Sequence, residues 1–175
     1  MFPELETQRL RLREIRLQDD EAIYSCFSHE QVTRYYGQDT LTSPEQARRF
    51  IELFANNYAE QRGIRWGIER KEAQGLIGTI GYNAWSPRHR RAEIGYELHP
   101  DFWRQGYASE AASAILAYGF QELGLTRIGA VVFIENQASH ALLAKLGFEA
   151  EGTLRQYIYQ NGTAHDTRVY SLLQG

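Results

Sequence analysis

The residues with the most chemistry per unit length form one segment, Glu93-Ile94-Gly95-Tyr96-Glu97-Leu98-His99-Pro100-Asp101-Phe102-Trp103-Arg104-Gln105-Gly106-Tyr107-Ala108-Ser109-Glu110-Ala111. It reads as a strand, a short loop, and then Arg104-Gln105-Gly106 leading into a helix. The first N–H groups of a helix lack intrahelical acceptors and lie at the positive end of its dipole. A glycine there lets the backbone close on an anion, and Arg104 adds a cation, so the pattern suits a phosphate group. It equally suits a glycine that only starts a helix. The spacing is not G-x-G-x-x-G, and G-x-x-x-x-G-K-[ST] is absent, so neither nucleotide fingerprint fits. No G-x-S-x-G elbow supports a serine hydrolase. Five histidines without H-x-x-x-H or H-E-x-x-H spacing, and a single cysteine, Cys26, argue against a metal site.

The elements that must position this segment follow from periodicity. Arg9-Leu10-Arg11-Leu12-Arg13 alternates strictly and predicts a strand with leucines inward and arginines on a solvated face. Asp19 and Asp20 introduce a helix with Ala22, Ile23, Cys26 and Phe27 on one side, where Cys26 acts as a small buried hydrophobe. Ser43 as N-cap, Pro44 at the first helical position and Gln46 closing a capping box predict a second helix. Ile64 to Glu69, Leu76 to Trp85 and Ala92 to Leu98 read as three antiparallel strands. A long helix from Tyr107 to Leu123, closed by Gly124, presents small residues that let it approach a sheet closely. Arg127 to Ile134 is a strand, so strand, helix and strand form a crossover with parallel pairing. A helix from Gln137 to Leu146 stops at Gly147, and Asn161-Gly162 turns a final hairpin between Leu154–Gln160 and His165–Leu172.

One α/β domain covering residues 1–175 follows, with a mixed sheet and helices on its faces. The net charge of −3 is spread evenly and argues against nucleic-acid binding. The longest apolar stretch, Ala130 to Ile134, is far too short for a membrane span, and Met1-Phe2-Pro3-Glu4 does not open like a signal peptide. The expectation is a cytoplasmic protein with no membrane partner.

Trp103-Arg104-Gln105-Gly106-Tyr107-Ala108 resembles the acetyl-CoA pyrophosphate loop of GNAT-superfamily N-acetyltransferases, specifically the RimJ/RimL-type branch. Leu5 to Arg13 resembles that branch's opening strand, Ile77-Gly78-Thr79-Ile80-Gly81 its central hairpin, and Asn136-Gln137-Ala138-Ser139 through Phe148 its second cofactor motif. The match spans nearly the whole chain in order. One departure is Trp103, where the superfamily's strict loop has Gln or Arg; tryptophan is common there in this branch. The resemblance implies a single-domain α/β (α+β) GNAT fold, whose central sheet contains a splayed parallel strand pair.

It also implies roles. Backbone amides of Arg104, Gln105, Gly106, Tyr107, Ala108 and Ser109 would hold the pyrophosphate of acetyl-CoA, and the Glu93–Leu98 strand would pair with the pantetheine arm. Gly95 suits a bulge or a close approach. Asn136 would bond the arm, cap its helix, or both. Amide formation needs a neutral amine, a stabilised oxyanion and a proton for the departing thiolate. Glu93 is the candidate general base and Glu97, on the same strand face, its rival; both equally suit solvent or the substrate's ammonium. The Leu98 N–H is a candidate oxyanion donor. Ser139 matches the family position where a hydroxyl approaches the sulfur and would give the thiolate its proton, but it equally suits a hydrogen-bonder at the start of its helix, and no tyrosine follows Asn136 until Tyr157. The turn Arg88-His89-Arg90-Arg91 reads as an exposed tip, or else as a site for an acidic substrate or the cofactor's 3′-phosphate.

No well-supported nucleophile is available for an acyl-enzyme, so transfer would be direct, in a ternary complex and without a metal. The implied acceptor is a protein N-terminal α-amine, as of a ribosomal protein. A polyamine, an amino-acid derivative or an aminoglycoside is the alternative, as is an acyl-CoA sensor without turnover. The acceptor would lie around Tyr35, Tyr36, Phe54 and Tyr157 to Tyr159, in a monomer or a homodimer.

Overall fold

In the computed structural model, which describes residues 1–175, the leucine–arginine alternation becomes a strand whose Leu10 and Leu12 are fully buried. The elements run β1 (Leu5–Glu6), β2 (Leu10–Glu14), α1 (Asp20–Phe27), α2 (Glu30–Thr33), α3 (Pro44–Ala59), β3 (Ile64–Arg70), β4 (Ala73–Ser86) and β5 (Arg91–Leu98). There follow α4 (Tyr107–Gln121), β6 (Arg127–Phe133), α5 (Gln137–Lys145), β7 (Glu149–Gln160) and β8 (Thr163–Leu173). The strands form one sheet in the order β1-β2-β3-β4-β5-β6-β8-β7, and only β5 and β6 run parallel. No helix is long and apolar enough to cross a membrane.

Helices cover both faces. Ala111, Ala112, Ile115, Leu116 and Gly119 of α4 bury against Ile80, Tyr82, Ala92, Ile94 and Ile128 of the sheet. The Tyr82 hydroxyl donates to the Ile115 carbonyl, so the ring passes under Gly119 where any Cβ would collide with it. On the other face α1 and α3 enclose a second cluster that contains Ile23, Cys26, Phe27 and Ile51. Burial pushes the Cys26 thiol up, which suits an inert core residue.

Three expectations change in detail. Of the arginines of the opening strand, Arg13 is not solvated: it donates to Asp19 (2.9 and 3.0 Å) and to Glu69 (3.2 Å) in a half-buried cluster. Burial alone would raise the Glu69 carboxyl; Arg13 and the Gly75 N–H outweigh it and hold it below its usual range. The capping box of α3 closes one residue early, because the Gln46 side chain accepts from the Thr42 N–H (2.7 Å) while the Ser43 side chain makes no cap bond. The short α2 and β1 are additions, too brief for periodicity to signal.

Arg13→Ala should leave Asp19 and Glu69 partly buried without their cation. We expect a loss of about 2–3 kcal/mol by urea denaturation, below the 3–5 of a fully buried pair because Arg13 keeps some solvent contact. Arg11→Ala, on the same strand, should stay within about 0.5 kcal/mol of wild type.

Candidate active site

The loop after β5 is held in three places. His99 Nδ1 accepts from the Asp101 N–H (3.2 Å), and the Trp103 indole N–H donates to the Leu98 carbonyl (2.8 Å). The Gln105 side chain donates to the Asp101 carbonyl (2.9 Å). Arg104 (φ 60°) and Gly106 (φ 81°) both take left-handed backbone, which curls the chain into the start of α4. The first bond of that helix runs from the Glu110 N–H to the Gly106 carbonyl (3.0 Å), so the amides of Tyr107, Ala108 and Ser109 precede any intrahelical acceptor. That is an anion cradle built from main chain.

Arg9 supports the cradle from the N-terminal segment. Its guanidinium donates to the Gln105 carbonyl (2.9 Å) and the Glu110 carboxylate (2.7 Å), and stacks 4.4 Å from the Tyr107 ring centroid. A Cβ on Gly106 would lie 3.2 Å from an Arg9 nitrogen. Burial alone would raise the Glu110 carboxyl, but the Thr7 hydroxyl, the Arg9 N–H and the Arg9 guanidinium together hold it below its usual range. Alternation alone offered Arg9 as one more solvated charge; only the fold reveals it as a buttress.

Beside the cradle the sheet opens. β5 and β6 pair at Arg91 with Arg127, Ala92 with Ile128 and Glu93 with Gly129, and no further, although both strands continue. His99 N–H donates to Ile77 on β4, so the alternate Leu98 N–H and carbonyl face the gap, where Trp103 occupies the carbonyl. Gly95 forms no bulge, since its register with Gly81 is unbroken. It is the close-approach alternative that holds: a Cβ there would meet Asn83 at 3.0 Å and Arg65 at 3.3 Å.

The two candidate carboxylates share a strand face but not an environment. Glu97 is buried, and Arg65 (3.4 Å) and the Thr79 hydroxyl donate to it, with the Tyr36 hydroxyl also against it. Burial pushes its carboxyl above the usual range, against the pull of those donors. Arg65 also donates to the Gly95 carbonyl and to Asn83, both at 3.0 Å, and Phe54 covers its guanidinium. Glu93 is half-buried at the vertex of the gap, opposite Gly129, whose missing side chain leaves room beside it. Its neighbouring cation, Arg127, is already clamped by Glu151 through two 2.6 Å bonds.

On the far side of the gap, Asn136 accepts from the Ser139 N–H (3.3 Å), so it does cap α5. The Ser139 hydroxyl accepts from the Tyr96 hydroxyl across the opening (3.0 Å). His140 faces elsewhere, its ring nitrogens bonded to the Ile134 carbonyl (3.0 Å) and the Tyr170 hydroxyl (2.6 Å). Tyr96 lies on the strand face opposite Glu93 and Glu97, and nothing in the alternation of β5 connects it with Ser139.

The Arg88–Arg91 turn is an exposed tip. It lies at the opposite end of β5 from the cradle, about 23 Å away at 3.3 Å per residue, so a group bound in the cradle is beyond its reach. Arg90 is also spent on the Gly124 carbonyl (2.7 Å). Of the aromatic residues expected around the acceptor, Tyr36 packs on Phe27 and Phe54 on Phe50, both half-buried against the second cluster. Tyr35 faces Phe133, while Tyr157 and Tyr159 are exposed.

Residues 9–149 match the family model of the acetyltransferase (GNAT) domain. The uncharacterized N-acetyltransferase YoaA of Bacillus subtilis (strain 168) is 60% identical over 174 residues, 99% of this chain and 98% of that one. The spermidine N(1)-acetyltransferase of Escherichia coli (strain K12) is 29% identical over 157 residues, 87% of this chain and 80% of that one. In structure, the ribosomal L7/L12 alpha-N-protein acetyltransferase RimL in complex with coenzyme A superposes with a TM-score of 0.86, at 22% identity and 98% coverage of both chains.

Gly106→Ala should disturb both the left-handed turn and the Arg9 contact. We expect acetyl-CoA affinity to fall about tenfold or more by calorimetry, from the strain of a side chain at positive φ. Glu110→Gln tests the buttress by pH. A depressed carboxyl contributes stability above its unfolded pKa of about 4.3 and loses it as pH falls through the lower folded value. The acid limb of Tm against pH should therefore be shallower in the variant than in wild type.

Proposed function

The chain belongs to the acetyltransferase (GNAT) family and is an acetyl-CoA-dependent N-acetyltransferase, and from that premise we propose how its residues divide the work and which amine it takes. The observation that carries the reading is the β5–β6 gap, opening after only three paired residues and bordered by the free amides of α4. When bound, acetyl-CoA supplies the thioester carbonyl; everything else comes from side chains and main chain already in place. The amides from Arg104 to Ser109 hold its pyrophosphate, with Arg104 beside them and Arg9 fixing their curl. The gap-facing edge of β5 aligns the arm, and Asn136 meets it from α5. The Leu98 N–H, aimed into the gap, stabilises the oxyanion.

Glu93 is the general base, directly or through one water. It has room beside it and no cation of its own, whereas Glu97 is enclosed by Arg65, Thr79 and Tyr36. Glu97 instead holds Arg65 in place beneath the Gly95 carbonyl. The acceptor is a protein N-terminal α-amine. Its pKa near 8 is within reach of one carboxylate base near neutral pH, while a lysine-like amine near 10.4 needs more help. The open acceptor side supports this reading, with Tyr157 and Tyr159 exposed. The similarity to a spermidine acetyltransferase supports the second reading, a small polyamine.

Thiol release with acetyl-CoA should be seen with a peptide carrying a free N-terminus and be lost when that terminus is blocked. Faster turnover with spermidine would select the second reading. Glu93→Gln should lower kcat about a hundredfold while sparing acetyl-CoA affinity. Glu97→Gln should chiefly lower Tm, since it strands a buried Arg65. An active Glu93→Gln beside a folded but inactive Glu97→Gln would reverse the assignment.

A further inference from the structure

Acyl transfer leaves a negative charge on sulfur, and the basic groups described so far do nothing for it. The hydroxyls and imidazoles near the gap are mostly committed. The Tyr82 hydroxyl donates to the Ile115 carbonyl, Tyr36 lies against Glu97, and both nitrogens of His140 are bonded. Two groups remain, Tyr96 and Ser139, and they meet across the opening at 3.0 Å. Tyr96 projects from the part of β5 that has already left β6, and Ser139 from the first turn of α5, so their bond spans the passage between the two elements.

We propose that the Tyr96 hydroxyl, held in the gap by Ser139, is the hydrogen-bond donor that stabilises the departing CoA thiolate. This rests on the direct-transfer reading above. As the amine nitrogen bonds to the acetyl carbon, its proton passes to Glu93. The C–S bond then breaks with its electron pair on sulfur, and the Tyr96 O–H turns from Ser139 toward it. The thiolate takes its proton from water afterwards.

Acidity decides between donating a hydrogen bond and donating the proton. Burial pushes the Tyr96 phenol up to about 12, the Ser139 bond acting the other way. A thiol titrates near 8.5, so the proton stays on the phenol oxygen while the charge on sulfur is solvated by it. Ser139 is a positioning residue in this scheme: it keeps the phenol aimed into the gap before the substrate arrives.

The test uses the full chain with CoA and acetyl-CoA. Tyr96→Phe should lower kcat about ten- to a hundredfold, the range of a lost donor to developing charge, with the acetyl-CoA KM within about twofold. It should also raise the pH at which bound CoA shows its ultraviolet thiolate band, because the donor favours the charged sulfur. Ser139→Ala should cost only a few-fold in kcat and shift the band less. A Tyr96→Phe enzyme with wild-type kcat, or an unmoved thiolate titration, overturns the proposal. So does a Ser139→Ala loss as large as that of Tyr96→Phe, which would make serine the donor. A wild-type chain that releases no thiol with any amine would instead sink the direct-transfer reading, while the bound-CoA titration still decides Tyr96. Should Tyr96→Phe not fold, 3-fluorotyrosine at position 96, a more acidic phenol, should lower the pH at which the thiolate band appears, and an unmoved band overturns the proposal.

Discussion

Beyond Glu93 and Gly129, β5 turns a row of amides and carbonyls toward a gap instead of toward β6. Main-chain groups inside a protein need partners, and an unpaired strand edge is ordinarily costly. Much of the structure serves to keep this edge open without collapse. β4 pairs with β5 along its other side from Asn83 through Gly78, which makes it rigid. β8 does the same for β6 from Arg127 through Phe133. The Trp103 indole occupies the last gap-facing carbonyl, and the opening is left as a slot lined by main-chain donors. An extended ligand with amide groups would complete the ladder that the sheet leaves unfinished.

The face below the slot is polar where a core would usually be apolar. Arg65, Glu97 and Thr79 form a connected buried cluster across three strands, which the exposed Asn83 joins from β4. Such pairs seldom add net stability over apolar packing, but breaking one leaves an uncompensated charge, so the set is fixed as a unit. Its consequence is geometric. Arg65 bonds the Gly95 carbonyl directly, which ties the middle of the open strand to β3, and the glycine lets it come that close.

The anion cradle depends on contacts just as distant in sequence. Thr7 and Arg9 reach Glu110 in the first turn of α4, and Arg9 continues to the Gln105 carbonyl. A loop with two left-handed residues would otherwise fluctuate among several curls. Tying it to the N-terminal segment and to Trp103 holds the free amides in one orientation, and a preorganised donor array binds charge without reorganisation cost.

Local pattern determined much of this protein by itself. The alternation at Leu10 and Leu12, the Pro44 helix start, the Gly106 turn into α4 and the Asn161-Gly162 hairpin all follow from backbone preferences that act within a few residues. The same short-range logic marked the helix start at Gly106 and, together with the family resemblance, the candidate pair Glu93 and Glu97. It could not rank that pair, because the difference is made by Arg65, Thr79 and Tyr36 on other elements. Nor could it separate Arg9, Arg11 and Arg13, identical in spacing yet a loop buttress, a surface charge and a half-buried ion-pair partner. Tyr96 lay unseen on the other face of β5 until the crossover brought Ser139 opposite it. Periodicity reports which way a side chain points, but what it meets there is decided by strand order and helix placement.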